Sequence, residues 1–152
     1  MISIRVHGTP APQGSKRAFA RPGGKPVVVE MSKAVGPWRE AVRSETQDAL
    51  EGSAGGWDSW PVTVTVVFML PRPATHYRTG RNAHLLKDSA PVRPVTRPDL
   101  DKLVRSTLDG LKSGGAYTDD SQVTDLIAAK IYCVNGQAPG AEITIEPCKE
   151  DT

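Results

Sequence analysis

Two short acidic segments carry the chemistry this sequence could perform. Asp99 and Asp101 sit in Arg97-Pro98-Asp99-Leu100-Asp101-Lys102-Leu103, and Asp119 and Asp120 follow behind an amphipathic run that begins at Leu100. With that run as a helix, a D-x-D pair stands at its entrance and a second pair returns from its far end. Four carboxylates are then expected to meet at one point. Lys102 and Arg105 fall on the first turns beside them. Carboxylate oxygens are the hard ligands that Mg2+ prefers, and fixed cations next to such an ion are what phosphodiester chemistry needs.

Geometry restricts how the first pair can act. Inside a regular helix, side chains at i and i+2 point about 200° apart and cannot share an ion. If Asp99 is still extended where the helix begins, the two can point the same way. Pro98 favours this, since it biases the chain before it toward extended geometry. Asp99 is then also placed to serve as N-cap. Asp101 and Arg105 lie at i and i+4, which puts the guanidinium on the carboxylate's side of the helix. Taken singly, each acidic pair is what helix capping alone would produce, and Asp119-Asp120-Ser121-Gln122 reads equally as a capped turn. Taken together, at the two ends of one helix and flanked by basic loops, they favour a divalent-metal phosphoryl-transfer site. The residues by themselves go no further.

The elements that must hold these groups follow from periodicity. Residues 2–7 alternate as a strand, Gly8 to Gly24 reads as a Pro/Gly/basic loop, and Pro26 to Glu30 as a short β-branched strand. Trp38, Ala41, Val42 and Ala49 recur at helical spacing behind Pro37, and Gly52 stops that helix before a flexible turn to Ser59. Pro61 to Leu70 is the strongest strand. Leu100, Leu103, Val104, Leu108 and Leu111 form one apolar helix stripe that Gly114-Gly115 ends. Leu126 to Val134 and Ala141 to Glu146 close the chain as strands, with Asn135-Gly136 and Pro139-Gly140 supplying the turn between them. The order β-β-α-β-α-β-β indicates an α+β fold, a single domain over residues 1–152 with one mixed sheet and two main helices packed on it. Between Pro71 and Arg97 lies a long loop with four prolines, and a loop of that length is functional or disordered.

Charge is distributed unevenly. Residues 1–98 hold 14 Lys/Arg against 7 Asp/Glu, whereas residues 99–152 hold 5 against 10, within a net charge of +2. The basic half concentrates Lys16, Arg17, Arg21 and Lys25 in one run and Arg72, Arg78, Arg81, Lys87, Arg93 and Arg97 in another. A basic half beside an acidic pocket fits a polyanion held by one region and cut in another; solvated loops that happen to be basic fit the counts equally. His76-Tyr77-Arg78 sits in the second run, where stacking and phosphate contact would suit nucleic acid. Cys133 and Cys148 are too few for a disulfide framework or a zinc site, and both are expected reduced, in core or strand. Trp38, Trp57 and Trp60 are expected to pack. No apolar run approaches the ~18 residues of a membrane span and no signal-peptide core is visible, so a soluble intracellular protein is expected.

The block Pro98–Val123, PDLDKLVRSTLDGLKSGGAYTDDSQV, resembles the RusA family of Holliday-junction resolvases of phages, prophages and their bacterial hosts. That family carries a D-x-D-N-x-x-K segment, a helix with a later Asp, and D-D-x-Q-V. The opening GTPAPQGSKRAF is similar to the family's G-x-P-x-P-K-x-R, and HYRTGRNAHLLK is the least general part. The resemblance implies a RusA-like fold and a cytoplasmic, homodimeric endonuclease dependent on Mg2+, with Mn2+ as substitute. It would resolve four-way DNA junctions by paired symmetric nicks. It implies Asp99, Asp101 and Asp120 as metal ligands, with Asp119 and Asp109 as further acidic positions. The family's Asn is Lys102 here, and its Lys is Arg105. Arginine keeps the charge but cannot give up a proton, so Arg105 can stabilise a phosphorane but not act as a general acid, and the role of the family's Lys can pass to Lys102 instead. The basic residues Lys16, Arg17, Arg21, Lys25, Arg72, His76, Arg78, Arg81, Lys87 and Arg97 are the expected DNA contacts.

Two other readings compete: the same metal site acting on flaps, forks or single strands, and a non-catalytic DNA-binding module whose acids only cap helices. Acid density speaks against the latter, because uncompensated carboxylates repel phosphate.

Overall fold

The computed structural model describes residues 1–14, 16–19, 22–24, 27–30, 33–53 and 56–148, with the backbone alone in 16–19 and 27–30. Strand β1 (Ile2–His7) turns Ile2, Ile4 and Val6 inward, and β4 (Val62–Leu70) does the same with Val62, Val64, Val66 and Phe68. Strand β6 (Gly140–Pro147) adds Ala141, Ile143 and Ile145 to that face. With β5 (Val123–Tyr132) they form a four-stranded sheet in the order β1-β6-β4-β5. All pairs are antiparallel except β4 with β5. Parallel neighbours need a long crossover, and the chain between them supplies it as a basic strap over 71–97 and then a helix.

Helices α1 (Val35–Glu51) and α2 (Leu100–Ser113) pack together on the apolar face. Trp38 and Val42 of α1 and Leu103 and Leu111 of α2 are buried against the sheet. Trp38 Nε1 donates to Thr107 Oγ1 at 3.1 Å, so the one polar atom of the indole is satisfied inside the core. The mixed sheet with two helices on it agrees with the α+β fold expected from sequence.

Four details differ from the sequence expectations. The Gly8–Gly24 segment contains a strand, β2 (Lys16–Phe19), paired antiparallel with β3 (Val27–Glu30) in a separate two-stranded ribbon. Flanking glycines and prolines conceal it in the sequence, and the 26–30 strand is therefore no part of the main sheet. Strand β5 starts at Val123 rather than Leu126. The connection to β6 is not a hairpin: β4 lies between the two strands, and 133–139 crosses its end. Gly140 is required there, since a β-carbon would collide with the carbonyl of Val6. Finally, the 71–97 segment folds on itself, with a Tyr77–Leu86 bridge, Arg78 N donating to Leu85 O at 2.8 Å, and Lys87 N donating to His76 O at 2.9 Å.

Trp57 N bonds Ala116 O at 3.3 Å and Trp57 bridges Tyr117, which ties the 52–59 turn to the far end of α2. Trp60 does not pack; it is 52% exposed. Both cysteines are free thiols just beyond the ends of β5 and β6. No helix among the described residues is long and apolar enough to cross a membrane.

Candidate active site

Asp99 occupies the cap position of α2 with extended backbone (φ −71°, ψ 138°). Its carboxylate caps nothing: no backbone N–H of the first turn bonds to it. Its Oδ2 instead lies 3.5 Å from Lys102 Nζ. The carboxylate therefore performs no structural task that would explain an Asp here, while the open N–H groups of the first turn favour negative charge beside it. Asp101, within that turn, is exposed and forms no hydrogen bond or ion pair among the described residues. Arg105, one turn on, is exposed and equally unpaired among them. Lys130 of β5 donates to Thr96 O and Pro98 O, both at 2.8 Å, and so fastens this end of α2 to the sheet edge.

At the other end, Gly114 closes α2 and the chain passes through a single 3-10 turn, Asp120–Gln122, into β5. The Asp119 carboxylate accepts from Ser121 N at 2.9 Å, which with the Gln122 side chain makes a capping box. The Ser121 N–H first, then side-chain hydrogen bonding with Ser121 and Asp120, holds the Asp119 carboxyl below the usual range, helped by Lys112 Nζ at 3.8 Å. Gln122 spends every polar atom on main chain. Its Oε1 accepts from Thr118 N (2.9 Å) and Asp119 N (3.1 Å), and its Nε2 donates to Trp57 O (2.7 Å) and Trp60 O (3.0 Å). The result fixes the turn and leaves Asp120 exposed on it. Asp109 is drawn to α1, 3.8 Å from Arg39.

The expected meeting of four carboxylates does not occur within one chain. Lys130 places the N-terminal end of α2 beside the far half of β5, whereas Asp120 precedes the start of β5. A 14-residue helix spans roughly 20 Å. Strand β5 covers a similar length from Val123 to Lys130, on the order of 23 Å. Among the described residues no three His, Cys, Asp or Glu side chains are drawn up to hold an ion. The donor chemistry still fits magnesium, with oxygen ligands only. One chain offers Asp99 and Asp101 at one end of α2 and Asp120 at the other, while Asp119 is held by its cap.

The cations of the basic strap divide into those engaged within it and those left exposed. Arg72 stacks over the Tyr132 ring (4.2 Å to its centroid) and donates to Pro91 O at 2.8 Å. His76 meets the same ring edge-on at 5.5 Å, and Arg78 is tied to Leu86 O and Asp88. These three hold the strap together. Arg81, Lys87, Arg93 and Arg97 are exposed without an ion pair among the described residues. Lys16 and Arg17 lie in β2, whose side chains are not described; Arg21 and Lys25 lie outside the described residues.

The capped turn that the sequence offered over Asp119-Asp120-Ser121-Gln122 is present, and the four bonds of the Gln122 side chain build it. One residue escaped the sequence reading. Lys130 was not singled out at all, though a lone lysine in the apolar run Leu126–Tyr132 was a signal.

A profile of the family described as "Endodeoxyribonuclease RusA" matches residues 7–146. A protein of Bacillus subtilis (strain 168) named "Uncharacterized protein YqaN" is 30% identical over 147 residues, covering 95% of this chain and 94% of the relative.

Proposed function

Since this chain belongs to the RusA family of Holliday-junction-resolving endodeoxyribonucleases, we propose that it works as a C2 homodimer whose two magnesium sites are each assembled from both copies. The observation that carries this reading is the position of the two acidic segments at opposite ends of α2. A two-fold axis across that helix sets the Asp99/Asp101 end of one copy against the Asp120 end of the other, and does so twice. An apolar strip suits such a contact. Leu108 is half-buried on α2, and Leu126, on the helix-bearing face of the edge strand, is 46% exposed.

Asp99, Asp101 and the second copy's Asp120 would hold the ion, which when bound polarises the phosphoryl oxygen and lowers the pKa of a water. Arg105, on the side of Asp101, stabilises negative charge that develops on the phosphorus oxygens and keeps its own proton throughout. Lys102 offsets the charge of Asp99 when no ion is present. Arg81, Lys87, Arg93 and Arg97 grip backbone phosphates of the junction arms. Two equivalent sites then nick two strands of like polarity, and Mn2+ substitutes because it accepts the same oxygen ligands.

Complementation tests this reading directly. Asp101→Asn and Asp120→Asn should each lose cutting of a labelled four-way junction by several orders of magnitude, as should wild type in chelator. Mixed and allowed to exchange subunits, the two variants should recover nicking. A dimer with one copy of each variant keeps one site with all wild-type ligands, and it should nick one strand per junction. Absence of recovery, with exchange verified by a tagged copy, would show that each site lies within one chain. Equal cutting of linear duplex and fork controls would sink the junction-selective part alone.

A further inference from the structure

Lys130 stands in β5 opposite Phe68, facing the helices, in an otherwise apolar stretch. No carboxylate pairs with it among the described residues. Its ammonium donates instead to two main-chain oxygens, Thr96 O and Pro98 O, at 2.8 Å each. Charged donors at this distance make strong bonds, about twice as strong as neutral ones. The two carbonyls flank Arg97, and the next residue after them is Asp99. Since the Asp99 side chain provides no cap, the direction in which it leaves the chain depends on the peptides before it. The opposite side of this helix end is held by Gln13 N on Lys102 O (3.1 Å) and by Ser106 Oγ on Ala11 O (2.6 Å). Lys130 is the only side chain that grips the segment from the sheet among the described residues.

We propose that Lys130 is a positioning residue for the metal ligands Asp99 and Asp101, acting through the main chain of 96–98; this rests on the reading of those two as ligands. A methionine here preserves the packing of the four-carbon stem and removes the donor. The two carbonyls then lose their bonds and the Asp99 carboxylate is free to swing. Ion affinity is the quantity that must suffer most, because of the four cations assigned to phosphate only Arg97 lies in the segment Lys130 grips, while Arg81, Lys87 and Arg93 lie outside it.

The test is Lys130→Met beside Lys130→Arg, followed by manganese binding to the free protein by electron paramagnetic resonance and by single-turnover nicking across a magnesium titration. Lys130→Met should weaken manganese binding and raise the half-saturating magnesium about ten-fold or more, as loss of an outer ligand support does. Rate should return at high magnesium, and metal-free junction affinity should stay within about two-fold, since Arg81, Lys87 and Arg93 are untouched and Arg97 keeps its charge. Lys130→Arg, which keeps a charged donor, should recover most of the ion affinity. Unchanged metal dependence in Lys130→Met overturns the proposal, whatever happens to thermal stability. If Lys130→Met does not fold, Lys130→Gln, with one donor group, carries the same titration. Should Asp101→Asn bind manganese as wild type does, the ligand assignment itself fails, an outcome separable from the behaviour of Lys130.

Discussion

Gly110 of α2 lies against Val42 of α1 so closely that a β-carbon on it would stand 2.8 Å from the Cβ and Cγ1 of Val42. Gly114 repeats the relationship one turn later, against Thr46. The helix bearing Asp101 and Arg105 can therefore approach α1 only because these two positions lack side chains. Gly110→Ala gains helix propensity, worth about 1 kcal/mol, but forces the helices apart at a cost of about 1–3 kcal/mol for overpacking. Net destabilisation is expected in denaturant melts, and a rise in midpoint would contradict this packing.

Gln122→Leu should separate turn geometry from ion binding by Asp119. The substitution removes four bonds to main chain while Asp119 and Asp120 remain. We expect single-turnover cutting to fall by about ten-fold or more, on the scale of a displaced ligand, with junction affinity retained. Asp119→Asn, by contrast, should lose far less activity than Asp120→Asn, since its carboxylate serves the cap.

Tyr117 supplies a pH dependence at the alkaline side. Its hydroxyl donates to Leu108 O at 2.8 Å. Burial, reinforced by the charges of Asp120 and Asp109, pushes its pKa up. The native state thus holds a proton that the unfolded chain gives up near pH 10. The associated stability is complete below that pH and lost as pH rises beyond it. Tyr117→Phe should flatten this part of the stability profile while costing about 1 kcal/mol at neutral pH for the lost hydrogen bond. An unchanged alkaline slope in chemical denaturation would argue against a buried phenol.

Arg105 and Lys102 should differ in kind. Arg105→Ala is expected to lower the single-turnover rate without a matching loss of junction affinity, because its charge acts on the transition state. Lys102→Ala frees the Asp99 carboxylate from its 3.5 Å partner and should change the magnesium dependence more than the maximal rate. Equal losses of affinity with unchanged rate in both variants would make them phosphate clamps.

The strap should be read out by salt. Arg81→Ala, Lys87→Ala and Arg93→Ala should each weaken binding across DNA sequences and reduce the salt slope by about 1. Arg72→Ala should instead lower stability, since its guanidinium covers Tyr132 and holds Pro91 O.

The helices and β4 were legible in sequence because each carries a long periodic apolar face: Leu100 to Leu111 at helical spacing, Val62 to Phe68 at spacing two. Strand β2 was not, since Lys16–Phe19 is too short to show a period between its glycines. Pairing was beyond reach, because the Asn135-Gly136 signal looks the same whether the next strand returns beside β5 or passes across β4. The acidic segments stood out in the sequence at the two ends of the helix stripe, yet the convergence expected of them does not occur within one chain among the described residues. That error could have been avoided, as a helix long enough to carry the stripe to Leu111 already holds its two ends far apart.

The strand order has a consequence for how this chain comes into being. The central strand β4 finds its neighbours only in β5 and β6, and β1 has no partner in the main sheet other than β6. Nothing emerging from a ribosome before residue 140 can close that sheet, so the N-terminal half must wait with its strand edges open. Such late, distant pairing predicts slow folding and a nascent chain dependent on chaperones. A stop codon anywhere upstream of β6 should leave no smaller folded nuclease, only protease substrate.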